Sequence, residues 1–156
     1  MLALRRLLST ALFSLSLACA PIALAQPFSF VAIGDAPYAL PAGIGQFARL
    51  IERINQVQPA FTVHVGDIKS GSTRCDDTHF TQIRRMFDDF RQPLVYTPGD
   101  NEWTDCHRPD NGGYDPLERL TRLRQVFFAR PDASLGASPM ALESQAAMAK
   151  FGKFVE

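Results

Sequence analysis

Short apolar runs alternate along this chain with longer segments in which apolar residues recur every three or four positions. The short runs are Phe28–Ile33, Phe61–Val65 and Pro93–Thr97, and their length and composition are typical of strands buried on both faces. A segment with helical spacing follows each of them. The pattern therefore predicts the order β-α-β-α-β-α, an α/β unit whose parallel sheet is covered by helices.

The three helical segments also carry start and stop signals. Pro59 ends the first segment, and the run Asp76–Thr78 offers an N-cap to the second. The third begins at Asp115–Glu118, where a capping aspartate precedes a proline and a glutamate follows three residues after the cap. The residues expected to face the core are Ile44, Phe47, Ala48, Ile51 and Ile54 in the first segment, Phe80, Ile83, Phe87 and Phe90 in the second, and Leu117, Leu120, Leu123 and Phe127 in the third.

On this pattern the chain divides into three parts. Residues 1–25 precede the first strand and have the composition of a leader. Residues 26–130 hold the alternating strands and helices. Residues 131–156 are expected to be a weakly structured or truncated continuation, in which Met140–Phe154 is at best a weak helix.

The first 25 residues read as a signal peptide. Arg5-Arg6 precede an apolar run from Leu7 to Leu17, and Ala23-Leu24-Ala25 offers a cleavage site. An uncleaved anchor is the alternative, but the run is short for a membrane span of roughly 20 residues. We therefore expect export to a bacterial periplasm or to the medium, with no stable membrane anchor after cleavage.

The charge balance bears on possible partners. The chain contains 16 Lys and Arg residues against 16 Asp and Glu residues, which gives a formal net charge of zero. Such a balance provides no long-range field that would attract a polyanion. Charge therefore argues against a nucleic-acid partner and against an anionic membrane surface.

Export changes the meaning of the cysteines. Removal of the leader leaves Cys75 and Cys106, an even number in an oxidising compartment. Each follows a loop at the same predicted sheet edge, so a disulfide between them is plausible. It would close a loop of about 31 residues and stabilise the fold by roughly 3–4 kcal/mol. A zinc site of both cysteines with His79 and His107 is the alternative, although its spacings match no common zinc module.

A Gly-Asp pair follows each predicted strand: Gly34-Asp35, Gly66-Asp67 and Gly99-Asp100. The carboxyl ends of parallel strands share one edge of a sheet, so the three carboxylates are expected to converge there. Converging carboxylates suit divalent cations, and two such cations can promote displacement at phosphorus. The alternative is that the three pairs only form turns after the strands, since Gly and Asp both favour turns.

With their flanking residues, the three pairs resemble the first half of the calcineurin-like metallophosphoesterases. The resemblance rests on Gly34-Asp35, Gly66-Asp67-Ile68 and Gly99-Asp100-Asn101-Glu102, and the run Tyr96–Arg108 resembles a secreted bacterial branch of that family. The family pattern runs D-x-H, G-D-x-x and G-N-H-D/E, followed later by a lone His and G-H-x-H. Over residues 28–128 the resemblance implies one half of a metallophosphoesterase-type αββα sandwich.

The resemblance also implies roles for single residues. Asp35 matches the aspartate on the first metal, Asp67 the aspartate that bridges both metals, and Asp100 the second-metal asparagine. Asn101 stands where the family has the histidine that assists the leaving group, and an amide is not a general acid at neutral pH. A shifted register, with Asn101 as ligand and Asp100 outside the first shell, is the alternative. Pro37 replaces the histidine ligand of the first motif.

Two further residues are expected near the site. Glu102 completes the third motif, and His107 lies in the loop that follows Asp100. The family's late histidines have no counterpart after Phe128, so the site is expected to be incomplete within this chain.

The function implied by the resemblance is that of a secreted phosphoesterase. It would hydrolyse a small-molecule phosphate ester through a dinuclear centre of iron, zinc or manganese. The alternative is a non-catalytic or truncated remnant that binds metal or a ligand without turnover. A single-metal site like that of receiver-type α/β domains is a third interpretation, which fits the strand-end carboxylates but not export.

Overall fold

Three parallel strands form the sheet in the computed structural model, which describes residues 26–38 and 41–155. The strands are β1 (Val31–Ile33), β2 (Thr62–His64) and β3 (Leu94–Tyr96), and they lie in the order β1-β2-β3. Their register aligns the first residues of all three strands with one another, and likewise the last residues. The predicted α/β class with a parallel sheet is confirmed.

One helix follows each strand, as the periodicity predicted. These helices are α1 (Ala42–Val57), α2 (Asp77–Asp88) and α3 (Pro116–Phe127). The loop between β3 and α3 contains 3₁₀ turns at Thr104–His107 and Pro109–Asn111. The strands and helices thus alternate in the order β-α-β-α-β-α.

The predicted capping residues define the helix ends. The Asp76 carboxylate accepts a hydrogen bond from the backbone N–H of His79 at 2.9 Å, and the Asp115 carboxylate accepts one from Glu118 at 2.8 Å. Gln58 closes α1 in the left-handed conformation, with φ of 53°, and the chain then continues into a proline.

All three helices pack on the same face of the sheet. The ring of His64 contacts Phe47 of α1 and Phe87 of α2, with centroid distances of 6.0 and 5.2 Å. The ring of Tyr96 contacts Phe127 of α3 at 4.9 Å. Each strand is added on the same side of the one before it, and crossovers between parallel strands are right-handed. Successive helices therefore lie on one face of the sheet.

The opposite face of the sheet is not covered by any helix of the described residues. The middle residue of each strand points there and is exposed or half-buried. Phe28 and Phe30 remain 69% and 54% exposed, although the ring of Phe61 lies against both of them. Among the described residues, the helices therefore cover only one of the two apolar faces of the sheet.

Helix α3 departs from the predicted inner stripe at its first turn. Leu117 is 67% exposed, and the buried position belongs to Arg119. The guanidinium of Arg119 donates to the Cys75 carbonyl and to the Asp77 carboxylate, both at 2.9 Å, and lies over the ring of Tyr114. The pattern of hydrophobic residues could not predict that Arg119 is buried. Its guanidinium is paired with polar groups, while its aliphatic carbons pack in the interior.

Cys75 and Cys106 form the predicted disulfide, with their Cα atoms 5.8 Å apart. Both residues are completely buried. The zinc alternative is therefore wrong, since the sulfur atoms are bonded to each other. His79, which that alternative required, is buried instead, with Nε2 3.0 Å from the carbonyl oxygen of Ile68.

The C-terminal segment contains no α-helix between residues 131 and 155, where a weak helix was predicted. It forms 3₁₀ turns at Gln145–Ala147 and Ala149–Phe151. Leu135 pairs with Leu94 in an antiparallel bridge, with hydrogen bonds of 2.8 and 2.9 Å. The segment thus covers part of the outer edge of β3, which would otherwise be open to strand pairing.

The leader predicted at residues 1–25 lies outside the described residues. Among the helices that the structure does describe, none is both long enough and apolar enough to cross a membrane.

Removal of the disulfide should destabilise the protein. Because the bond spans 31 residues, the double substitution Cys75→Ala and Cys106→Ala should lower the free energy of unfolding by about 3–4 kcal/mol in the chain-entropy model. Urea unfolding followed by circular dichroism measures the difference. Alkylation of the unreduced wild-type protein is the control, and two free thiols there would contradict the bond.

Candidate functional site

Each Gly-Asp pair that follows a strand is called a corner here: Gly34-Asp35 is the first, Gly66-Asp67 the second and Gly99-Asp100 the third. The three corners meet at the edge of the sheet formed by the carboxyl ends of the strands. The backbone N–H of Asp35 donates to the Gly66 carbonyl at 3.1 Å, which joins the first corner to the second. The second and third corners touch, because a Cβ atom on Gly66 would lie only 2.2 Å from the backbone nitrogen of Gly99. Glycine is thus required here for close backbone approach.

The backbone turns sharply at two of the three corners. Asp35 has φ of 53° and Asp67 has φ of 58°, both in the left-handed region, and Gly66 before Asp67 has φ of 94°. Aspartate enters this region more readily than most residues, but the conformation still costs of the order of 1 kcal/mol. Both candidate ligands are therefore held in an unfavourable conformation by their surroundings.

The hydroxyl of Tyr38 lies between two of the carboxylates. It is 3.0 Å from Oδ1 of Asp35 and 3.3 Å from Oδ2 of Asp67, and the side-chain amide of Asn101 donates to it at 3.2 Å. Burial, aided by the hydrogen bond to Asp35, raises the pKa of Tyr38. The neutral hydroxyl has one proton, so it satisfies only one of the two carboxylates at a time.

Asp67 is the most enclosed of the three aspartates. Its Oδ1 accepts a hydrogen bond from the backbone N–H of Asn101 at 3.3 Å. Burial raises its pKa, the negative charges of Asp100 and Asp35 add to this effect, and the bonds from Asn101 and Tyr38 oppose it. The negative charges of the three aspartates therefore lie close enough to repel one another at this corner.

Asp100 occupies a different setting from the other two aspartates. Its side chain is exposed, and its carbonyl oxygen accepts hydrogen bonds from the backbone of Asp105 at 3.0 Å and from the Thr104 hydroxyl at 3.0 Å. Its charge is still close enough to raise the pKa of Asp67. The structure therefore brings Asp35 and Asp67 together around one hydroxyl and leaves Asp100 at the solvent side.

Pro37 and Asn101, the residues at the histidine positions of the resembled pattern, make no contact typical of a metal ligand or a general acid within the described part of the chain. Pro37 is buried, its side chain has no group that could bind a cation, and the Ala36-Pro37 peptide is cis. Asn101 is buried and uses its amide to hold Tyr38. His107 is exposed, with Nδ1 2.6 Å from the Thr104 carbonyl, and within the described ranges no hydrogen bond joins it to the aspartates.

His64 connects the first corner to the second. It is completely buried, with Nε2 3.0 Å from the carbonyl oxygen of Ala36, and its Nδ1 accepts the backbone N–H of Gly66 at 3.2 Å. This pair of contacts assigns the proton to Nε2. Burial lowers the pKa of His64 to about 4, against the opposing effects of the Ala36 carbonyl and the Asp35 charge. The neutral ring is thus the form that holds the two corners.

Glu102 connects the second corner to the third. Its Oε1 accepts hydrogen bonds from the backbone N–H of Asp67 at 3.1 Å, the backbone N–H of Gly99 at 2.8 Å and the Tyr96 hydroxyl at 2.8 Å. The residue is completely buried, and among the described residues its Oε2 has no hydrogen-bond partner. Burial raises the pKa of Glu102, against the effect of these hydrogen bonds.

Two basic residues lie near this edge. Lys69 is buried and donates to the Ser70 carbonyl at 2.9 Å, and burial lowers its pKa against the opposing charge of Glu102. Arg108 is half-exposed and is anchored by Asp105, with Nη1 2.7 Å from Oδ2. A Cβ atom on Gly71 would lie 3.4 Å from that Nη1 and 3.2 Å from Oδ1 of Asn101, so Arg108 reaches the neighbourhood of Asn101.

The donor set at the corners is made of oxygen atoms. Asp35, Asp67 and the phenol oxygen of Tyr38 converge, and such donors suit hard cations. Within the described ranges, however, no three Asp, Glu, His or Cys side chains are grouped closely enough to hold a metal ion. The residues present therefore fit one cation only if the Tyr38 oxygen completes the set, and they lack the histidines of a dinuclear centre.

Sequence reasoning missed the role of Tyr38. The only signal was its position three residues after Asp35, which is equally compatible with packing over a loop. It also missed that Glu102 and His64 join the corners, since neither contact follows from a periodicity.

Comparison of the chain with protein-family profiles, with curated proteins and with solved structures finds no match.

His64 should make stability depend on pH. Its native pKa of about 4 lies below the ordinary value of 6.5, so between these values the unfolded state binds a proton that the native state does not. Its contribution is complete above pH 6.5 and should decline by about 3 kcal/mol as the pH falls through 4. The rings of Phe47, Phe87 and Tyr96 pack around the ring of His64. The negative charge of Asp35 is close enough to act on its pKa.

Urea unfolding at pH 7 and at pH 4 measures this decline. Other groups titrate in the same range, so the matched variant His64→Gln isolates the contribution of the ring. The wild type should lose more stability than the variant between the two pH values. Equal losses would show that His64 does not titrate as its burial requires.

Substitution at Gly99 should disturb the second corner. A Cβ atom there would lie 2.1 Å from Oδ1 and 2.6 Å from the backbone nitrogen of Asp67, and the backbone cannot yield cheaply. Gly99→Ala should therefore lower the free energy of unfolding by about 1–3 kcal/mol, the usual cost of overpacking. Gly45→Ala in α1 is the control, since its Cβ would meet only Arg49 at 3.6 Å. Equal stabilities of the two variants would contradict the close approach of the corners.

Proposed function

We propose that this chain is part of an exported, metal-dependent phosphoesterase of the calcineurin-like type, with Asp35, Asp67 and Asp100 as the residues that hold its cations. The observation that carries the proposal is the pair of left-handed aspartates whose carboxylates face one oxygen atom. Unfavourable backbone conformations cluster at functional sites, and facing carboxylates repel each other unless a positive charge lies between them.

The proposed unit is one half of an αββα sandwich, spanning residues 26–130. The helices cover one face of the sheet, and the apolar opposite face has no helix among the described residues. A second sheet packed against that face would complete a sandwich. The disulfide is in keeping with the proposed export to an oxidising compartment.

Manganese fits the donor set better than zinc or iron bound by histidine. Carboxylate and phenol oxygens are hard donors, and this choice narrows the metals that the resemblance implies. Asp35 and Asp67 would hold one cation together with the Tyr38 oxygen, and Asp100, whose side chain is exposed, would contribute to a second. When bound, such cations neutralise charge on phosphoryl oxygens and supply a nucleophile at neutral pH.

The remaining residues of the site position the substrate and the ligands. Asn101 orients the Tyr38 hydroxyl through its amide, and its backbone N–H orients Asp67. Arg108, anchored by Asp105, offers a positive group for phosphoryl oxygens on the Asn101 side of the site. The substrate is therefore a small phosphate ester, in keeping with the absence of a net positive field.

A leaving group gains no proton from Asn101, because an amide is not an acid at neutral pH. Turnover should therefore be faster for esters whose leaving group is stable as an anion, such as aryl phosphates. The same observation favours a second candidate function, binding of a cation or ligand without turnover.

Asp67→Asn should abolish metal-dependent hydrolysis. The substitution keeps the shape of the corner and removes the charge that faces Asp35, so Mn²⁺-stimulated phosphate release from p-nitrophenyl phosphate should fall by about 100-fold or more. Asp132→Asn, an exposed aspartate of the C-terminal segment, is the matched control and should retain activity.

Isothermal titration with Mn²⁺ separates the two candidate functions. Binding that depends on Asp67, without turnover of mono- or diesters, would support binding alone. Neither binding nor turnover in the wild type would contradict both candidates.

A further inference from the structure

Glu102 stands apart from the other carboxylates of this edge. It is completely buried and does not face the Tyr38 hydroxyl, yet one of its oxygen atoms accepts three hydrogen bonds. Two of the donors are backbone N–H groups at the ends of different strands: Asp67 follows β2, and Gly99 follows β3. One oxygen atom therefore sets the separation between the second and third corners.

That separation controls where the Asp67 carboxylate lies. The corners are already in contact, since Oδ1 of Asp67 would be 2.1 Å from a Cβ atom on Gly99. The same oxygen accepts the backbone N–H of Asn101, on the third corner. A change in the separation of the corners must therefore displace the carboxylate of Asp67, the group that faces Asp35 and Tyr38.

The third hydrogen bond fixes Glu102 to the core. The Tyr96 hydroxyl donates to Oε1 at 2.8 Å, and the Tyr96 ring packs against Phe87 and Phe127. Oε1 of Glu102 is thus bound to Tyr96 on the helix-covered face of the sheet and to the two backbone N–H groups at its edge.

We propose that Glu102 is a positioning residue, which acts through the reach of its Oε1 and fixes the Asp67 corner against the Gly99-Asp100 corner in the arrangement that a cation requires. The part that concerns the cation rests on the proposed function; the part that concerns the corners does not. The length of the side chain, rather than its charge, is the property that matters, because a backbone N–H can donate to an amide oxygen with the same geometry as to a carboxylate oxygen.

Two substitutions separate reach from charge. Glu102→Gln keeps the length of the side chain and an oxygen acceptor but removes the charge. Glu102→Asp keeps the charge and shortens the side chain by one methylene, so the oxygen no longer reaches both N–H groups. Glu143→Asp is the matched control, because it makes the same Glu-to-Asp change at an exposed glutamate of the C-terminal segment.

The first measurement needs no metal. Hydrogen exchange by NMR on the purified full chain should show protected amides at Asp67 and Gly99 in the wild type, in Glu102→Gln and in Glu143→Asp. Both amides should lose protection in Glu102→Asp. If Glu102→Asp does not fold, Glu102→Gln decides alone: loss of protection at both amides in this folded variant would overturn the proposal.

The second measurement is Mn²⁺ affinity by isothermal titration. Glu102→Asp should weaken binding by about tenfold or more, as expected for residues that orient metal ligands, while Glu102→Gln and Glu143→Asp stay near the wild-type affinity. Loss of affinity in Glu102→Gln with retention in Glu102→Asp would overturn the proposal in favour of a role through charge. If the wild type binds no Mn²⁺, the proposed function fails, and the exchange data still decide the role of Glu102.

Discussion

The left-handed backbone at Asp35 and Asp67 is the constraint on which the candidate site depends. A non-glycine residue with φ near 55° is higher in conformational energy by roughly 1 kcal/mol than one in the right-handed or extended region. The conformation persists because neighbouring groups hold it. The carbonyl of Ala36 is bound to the buried ring of His64, and the backbone N–H of Asp67 is bound to the buried carboxylate of Glu102.

The groups that hold the corners also belong to the core. His64 and Tyr96 end neighbouring strands on the helix-covered face, and the ring of Phe87 contacts both of them. Each of the two carries a polar group toward the edge and a ring toward the helices. Because protein interiors are close-packed, the position of α2 on the sheet is thereby coupled to the geometry of the aspartates. The stability of the core and the order of the site are consequently two aspects of one packing arrangement.

The sequence was sufficient for those parts of the structure that follow from local rules. The Gly-Asp pairs that follow the apolar runs predicted where the corners would lie, and the even number of cysteines pointed to the disulfide. Contacts between polar groups distant in sequence were not predictable in this way. Tyr38 meets Asp67 across 29 residues, and Arg119 meets the Cys75 carbonyl across 44. No periodicity encodes such pairs, since each depends on where two separate loops end in space.

In the proposed function, cation binding and turnover would depend on different residues of this site. Binding would depend on Asp35, Asp67 and Tyr38, because the single hydroxyl proton cannot satisfy both carboxylates at once, whereas a cation could. Turnover depends on what assists the leaving group, and Asn101 has its amide committed to Tyr38. A chain can therefore keep the first property while its second is reduced to substrates that need no proton. The two candidate functions, hydrolysis and binding without turnover, differ only in whether the leaving group can depart without a proton. Both would use the corners that His64 and Glu102 hold.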